Sequence, residues 1–277
     1  KMINLYYNPS GRGPGKVVKN LIMGLNQLGI TFSENSAPNK SWKNVILHNH
    51  PILYTDEVND SIIGPNICVL PIDESVVMNQ KYNKIIVPSE WVKNLYMKWL
   101  PEEKIEVWPV GIDTNQFYDM TNEQKDIDCL IYFKRRDESE LQSVISFLEE
   151  NNQRYEIIRY GSYTEDYFIN TLKKSKYGIV INKCESQGIA IEEMMSTNLP
   201  LLVWDTIIWD DRGTDTSVPA TSVPYWSDTC GNRVTNLEEL EKNFTSFIGN
   251  LKNYKPREFI LENLNINKST NQLIEIL

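Results

Sequence analysis

Histidine is almost missing from this chain: there are two in 277 residues, and they sit together as His48 and His50. Cysteine does not fill the gap. Cys68, Cys129, Cys184 and Cys230 lie far apart with no C-x-x-C pair, so zinc and thioredoxin-type sites lack the spacing they need, and buried thiols are the plain reading. Long apolar runs are missing too. No stretch approaches 18 consecutive apolar residues, and no apolar segment with a small-residue cleavage site stands near the start, so neither a membrane span nor a secretion signal is expected. This predicts a cytoplasmic protein. Positive charge is also short, with 28 Lys and Arg against 37 Asp and Glu, a net charge of -9 and a pI of about 4.9. Binding to a polyphosphate backbone rests on the opposite balance, so nucleic acid is not an expected partner. Nor is there a basic amphipathic helix to support contact with a membrane surface.

What is present suits packed cores: 41% hydrophobic and 23% charged residues, an ordinary soluble composition. At roughly 150 residues per domain the length suggests two domains. Lys1, ahead of Met2, reads as an appended residue. MINLYYN reads as a strand, followed by a glycine-rich turn of Ser10, Gly11, Arg12, Gly13, Pro14 and Gly15. A helix should follow, because Val17, Val18, Leu21, Ile22, Leu25 and Leu28 recur at helical spacing and Gly29 closes the segment. Further strands are expected at 45–48 (VILH), 67–71 (ICVLP) and 84–89 (KIIVPS), with a helix from Glu90.

A polar stretch after Phe117 marks a boundary. Beyond it, strands are expected at 128–133, 155–161, 177–183 and 199–205, alternating with helices near 139–150, 164–174 and 188–197. Two helices, near 236–252 and 257–276, form the tail. The alternation predicts α/β architecture with mostly parallel sheets, in domains of residues 1–113 and 114–277.

Three segments hold candidate chemistry. The glycine turn fails as a P-loop, because the position five before Gly15 is Ser10 and Val17 follows Lys16. It also fails as a dinucleotide fingerprint, since Gly11, Gly13 and Gly15 are spaced by two throughout. It remains either a contact for an anion or sugar at a helix N-terminus or a simple tight turn. His48 and His50, two apart at a strand end, diverge, so a metal site is not expected; one of them either hydrogen-bonds a substrate or packs. Asp126-Ile127-Asp128 spells a D-x-D but precedes a strand, and reads as a linker charge pair. The third segment is KCESQGIAIEEMMSTNLP, from Lys183 to Pro200. There a strand ends, a loop carries Glu185 and Gly188, and a helix opens with Glu193 in its first turns, seven residues separating it from Glu185. Amides at the helix start make a positive end able to hold a diphosphate; the plainer reading is a capped helix with surface acids.

Glu185-x7-Glu193 in this context resembles the E-x7-E motif of retaining nucleotide-sugar glycosyltransferases of GT-B fold, particularly family 4. KIIVPSEWVK at 84–93 looks like the closing strand and helix of that family's N-terminal domain, and WPVGIDTNQF at 108–117 looks like its interdomain linker. The resemblance runs nearly end to end. It implies two Rossmann-like domains facing across a cleft, with a tail helix of about 257–277 returning to the first. It also implies transfer of a sugar from a nucleotide diphosphate sugar to a hydroxyl of a glycan or lipid-linked acceptor, with retention and with no metal or cofactor.

In that scheme Glu185, Lys134 and Arg135 are catalytic. Glu193 meets the donor ribose, Gly188, Ile189, Ala190 and Arg136 hold the diphosphate, Tyr160 and Gly161 face the base, Gly13 and Gly15 line the donor side, and His48 or His50 touches sugar or acceptor. Which of residues 134–136 reaches the phosphates is left open, as is the role of 204–231. Two other readings compete: a catalytically silent sugar-nucleotide-binding module, and a nucleotide-sugar epimerase of similar fold.

Overall fold

The computed structural model describes residues 2–8 and 11–277, leaving aside the side chains of Arg12 and Thr214. Lys1, Pro9 and Ser10 lie outside the described residues, Ser10 being the polar start of the expected glycine turn. The chain divides into two compact units. Unit 1 comprises 1–111, 212–218 and 264–277, and unit 2 comprises 112–211 and 219–263.

Unit 1 is built on six parallel strands: β1 (Met2–Tyr6), β2 (Thr31–Glu34), β3 (Lys43–His48), β4 (Ser61–Asn66), β5 (Lys84–Val87) and β6 (Ile105–Val107), ordered β2-β1-β3-β4-β5-β6. The apolar runs 45–47 in β3 and 85–87 in β5 are buried on both faces, as parallel sheets require. Helix α1 (Arg12–Gln27) buries Val17, Val18, Leu21 and Leu25 at the spacing the sequence shows. It begins earlier than expected, so Gly13 and Gly15 belong to its first turn instead of a preceding loop. Two short helices, α2 (Ser75–Asn79) and α3 (Glu90–Tyr96), complete the connections. The tail helix α9 (Ile266–Ile276) packs on α1, and the Ser269 hydroxyl donates to the Pro109 carbonyl at 2.6 Å.

The strand expected at 67–71 is a correction: that segment is irregular, and β4 occupies 61–66. Gly64-Pro65 hid it, because proline inside a central strand removes a ladder donor. The structure accommodates the proline with a bulge, since Ile46 pairs with Ile63 but His48 pairs with Asn66, leaving one residue of β3 opposite two of β4.

Unit 2 carries five parallel strands, β7 (Ile127–Lys134), β8 (Tyr155–Arg159), β9 (Ser175–Asn182), β10 (Leu201–Trp204) and β13 (Gly231–Val234), in the order β13-β10-β9-β7-β8. Two-residue strands β11 (Ile208–Trp209) and β12 (Val218–Pro219) lie in the long connection before β13. Helices α4 (Glu138–Glu150), α5 (Glu165–Lys174), α6 (Ile189–Ser196), α7 (Leu237–Gly249) and α8 (Pro256–Asn263) surround the sheet. On one face Ile131, Ile179 and Leu202 meet Leu141, Val144, Leu148, Phe244 and Phe247 from α4 and α7. Helix α8 packs along α6, where Arg257 donates to the carbonyls of Phe117 and Ser196. The expected single tail helix is therefore two, broken at Leu264 and Asn265, with α8 in unit 2 and α9 in unit 1. Among the described residues no helix is long and apolar enough to cross a membrane.

Gly231 opens β13 with φ +148°, and a Cβ there would sit 1.8 Å from the Leu201 carbonyl oxygen of the paired strand. Backbone cannot yield as a flexible side chain can. Gly231→Ala is expected to cost at least ~2 kcal/mol and to lower the melting temperature by several degrees in a calorimetric scan.

Candidate functional site

Each sheet reverses direction at one point, and open α/β sheets bind ligands beyond the carboxyl ends of the strands flanking that reversal. In unit 1 the reversal falls between β1 and β3. The glycine turn follows the first of these strands and His48 ends the second. His48 is 4% exposed. Its Nδ1 lies 2.7 Å from the Asn8 carbonyl oxygen and its Nε2 3.3 Å from that of Pro14, so the ring fastens the turn to the strand end. His50 is half-buried and accepts the Ile52 amide on Nδ1 at 3.2 Å, and burial holds its pKa below the ordinary imidazole value. The Tyr6 ring lies 5.4 Å from that of His50; the Tyr6 hydroxyl is buried with no hydrogen-bond partner among the described residues.

In unit 2 the reversal falls between β7 and β9, and here the expected residues meet. Lys134 ends β7. Its Nζ lies 2.7 and 2.9 Å from the two carboxylate oxygens of Glu185, the side chains being 15% and 11% exposed. The Tyr160 ring covers the same ammonium at 4.2 Å, from the end of β8. Gly188 caps α6 in a left-handed conformation, φ +88°. The amides of Ile189 and Ala190 form the open end of that helix, because those of Ile191 and Glu192 already donate to the Gly188 carbonyl. A cation, a carboxylate, an aromatic face and a positive helix end thus share one strand-edge crevice.

Arg135 follows with φ +55° and is exposed; among the described residues it has no hydrogen bond or ion pair. Arg136 is arranged differently. Its guanidinium bonds Glu140 at 2.6 and 2.7 Å, donates to the carbonyls of Asn182 and Trp204, and lies 4.8 Å over the Trp204 ring. It pins strand ends together. Gly161 follows Tyr160 in the β8 turn. Glu193 is 2% exposed within α6. Asp128 of the D-x-D is inside β7 and paired with Lys176 at 2.6 Å, so it serves the sheet.

Several supporting residues escaped sequence reasoning. The Asn182 amide donates to Glu185 at 2.7 Å and fixes its carboxylate. The segment after Trp204 folds back beneath the same loop. Asp205, 5% exposed, accepts from Thr221 and from the amide and hydroxyl of Ser222, and the Thr221 carbonyl in turn accepts the Glu185 amide at 3.1 Å. Part of this segment, with Trp209 and Asp211, also lines a pocket of about 400 Å³ beside Lys183. The spacing N-x-x-E hints at Asn182, but nothing local points to Asp205.

No protein-family profile and no curated sequence matches the chain. Solved structures do. A lipopolysaccharide outer core galactosyltransferase, WaaB, superposes with TM-score 0.58 at 11% identity, over 100% of this chain and 99% of that one. Sucrose-phosphate synthase from Thermosynechococcus elongatus gives 0.59 at 11%, over 100% and 98%. AviGT4, a glycosyltransferase involved in avilamycin A biosynthesis, gives 0.59 at 10%, over 99% and 96%. The fold is GT-B. At such identity the likeness concerns the fold, and in this GT-B chain the Lys134 and Glu185 pair sits where the second sheet reverses.

Lys134→Met leaves a largely buried carboxylate without its cation and is expected to lower stability by ~2 kcal/mol or more. Adding Glu185→Gln should recover most of that loss. Urea midpoints of the two single variants and the double variant check this, and strictly additive losses would contradict the pairing.

Proposed function

We propose that the protein is a retaining, metal-independent glycosyltransferase that moves a sugar from a nucleoside diphosphate sugar to an acceptor hydroxyl of a glycan or lipid-linked glycan. The observation that carries this reading is the crevice between β7 and β9, where Lys134, Glu185 and the start of α6 converge. The fold neighbours support the class of donor: a TarM mutant is described in complex with UDP, and a pneumococcal O-GlcNAc transferase, GtfA, with UDP and GlcNAc.

The chemistry is a matter of charge. As the bond between the sugar and the β-phosphate breaks, negative charge accumulates on the leaving diphosphate and positive charge on the ring. Groups already oriented toward those charges lower the barrier without reorganising. Lys134, the exposed Arg135 and the amides of Ile189 and Ala190 meet the phosphates; Glu185 holds sugar hydroxyls beside the reacting carbon. Without donor, Glu185 keeps the Lys134 ammonium in place. Tyr160, 43% exposed, offers a face to the base, and Glu193 meets the ribose. Arg136 positions the loop through Glu140 and the Asn182 and Trp204 carbonyls. In unit 1 the first turn of α1, with Gly13 and Gly15, and His50 are assigned to substrate, and His48 holds that turn in place.

The test is turnover of a nucleotide-sugar panel, with and without acceptor. Hydrolysis or transfer that falls at least ~100-fold in Glu185→Ala and in Arg135→Ala supports the assignment, an effect of the size expected for groups stabilising developing charge. Tight binding with no turnover would replace it with a binding module, and epimerisation of the free nucleotide sugar with an epimerase.

A further inference from the structure

Glu192 stands beside Glu193 on α6 and has no place in the chemistry above. It is 2% exposed. One carboxyl oxygen accepts the Gln187 side-chain amide at 2.9 Å; the other is buried with no hydrogen-bond partner among the described residues. Gln187, 6% exposed, belongs to the loop between Glu185 and Gly188, so this bond ties the middle of the loop to the first turn of the helix. Two buried polar groups here are costly unless they bond each other, and a purely structural helix would fill the space with carbon.

We propose that Glu192 is a positioning residue: by receiving the Gln187 amide it sets the loop that presents Glu185 to the donor sugar and the start of α6 to its diphosphate. This rests on the transferase reading of the same site. Misplacing a loop by about an ångström is enough to slow chemistry severely, and the Gln187–Glu192 bond acts on the same loop as the Thr221, Asn182 and Lys134 contacts of Glu185.

The protonation state agrees. Burial, then the neighbouring Glu193 and Glu185 carboxylates, push the Glu192 pKa well above the ordinary carboxyl value, against the opposing Gln187 bond. Helix α8, packed along α6, brings Arg257, whose guanidinium is bound to the Ser196 carbonyl at the far end of α6 and to that of Phe117. The Lys134 ammonium is bound to Glu185. A neutral carboxyl leaves the positive helix end undiminished for an anion. A carboxyl raised in the folded state binds more protons there than in the unfolded chain, so its contribution to stability declines as pH rises from about 4.5. Glutamine copies the neutral acid and carries no such penalty.

Three variants, Glu192→Gln, Glu192→Met and Gln187→Met, test this through melting temperature from pH 5 to pH 8 and through steady-state turnover of the nucleotide sugar that the wild type accepts. Glu192→Gln is expected to keep kcat within about twofold and to melt above wild type by a margin that widens with pH. Both methionine variants, which break the bond from opposite sides, are expected to lose kcat by at least about tenfold. Unchanged kcat in the methionine variants, or a loss in Glu192→Gln equal to theirs, overturns the inference. So does a flat stability margin. If the wild type itself turns over no nucleotide sugar, the functional reading fails, and the pH-dependent margin still decides whether Glu192 holds the loop as a neutral acid.

Discussion

An ammonium and a carboxylate taken largely out of water at the edge of a sheet lose most of their hydration, and each needs the other to offset that loss. Lys134 and Glu185 are such a pair, with both carboxylate oxygens inside 3 Å of the Nζ. Much of unit 2 is arranged around keeping them so. Asn182 fixes one oxygen, Thr221 takes the backbone amide of Glu185, Asp205 fixes Thr221, and Tyr160 closes over the cation. A diphosphate entering this crevice would offer the cation a second anion and free the carboxylate for hydroxyl groups. On the proposed function the ion pair is then both a structural clasp and a preorganised form of the site.

The place of the pair follows from topology. With strand order β13-β10-β9-β7-β8, connections leave β7 toward one flank and return by β9, and their loops diverge above the sheet. A crevice opens there without any special residue. The same reasoning applied to unit 1 sets the glycine turn and His48 beside each other, and the two ring nitrogens of His48 bridge backbone on both sides of that turn. The two units use the same geometric opportunity with different groups: an ion pair in one, an imidazole bridging backbone in the other.

The parts of this arrangement visible in the sequence are those with local signatures. Alternating β and α patterns predict parallel sheets, and E-S-Q-G-I-A-I-E-E predicts a loop acid ahead of a helix start; the fold agrees with GT-B neighbours. What was illegible depends on partners far along the chain. Nothing near Asp205 announces that it supports Glu185 through Thr221. Arg136 looks equivalent to Lys134 and Arg135 until Glu140, one helical turn on, and the Trp204 ring are seen to engage it. Strand β4 was misplaced because a proline argues against a central strand, and only pairing with β3 reveals the bulge that admits it. The seven-residue spacing selects Glu193 over its neighbour, and only the Gln187 bond gives Glu192 a task of its own.

The claim that the β7 and β9 crevice binds a nucleoside diphosphate is tested most directly by thermal denaturation with a panel of nucleoside diphosphates, using wild type and Lys134→Met. A ligand at 100 times its dissociation constant stabilises the folded state by about 2.7 kcal/mol. The account predicts a clear upward shift of the wild type with at least one nucleotide and little or none in Lys134→Met. Equal shifts in both proteins, or no shift of the wild type with any nucleotide, would contradict it.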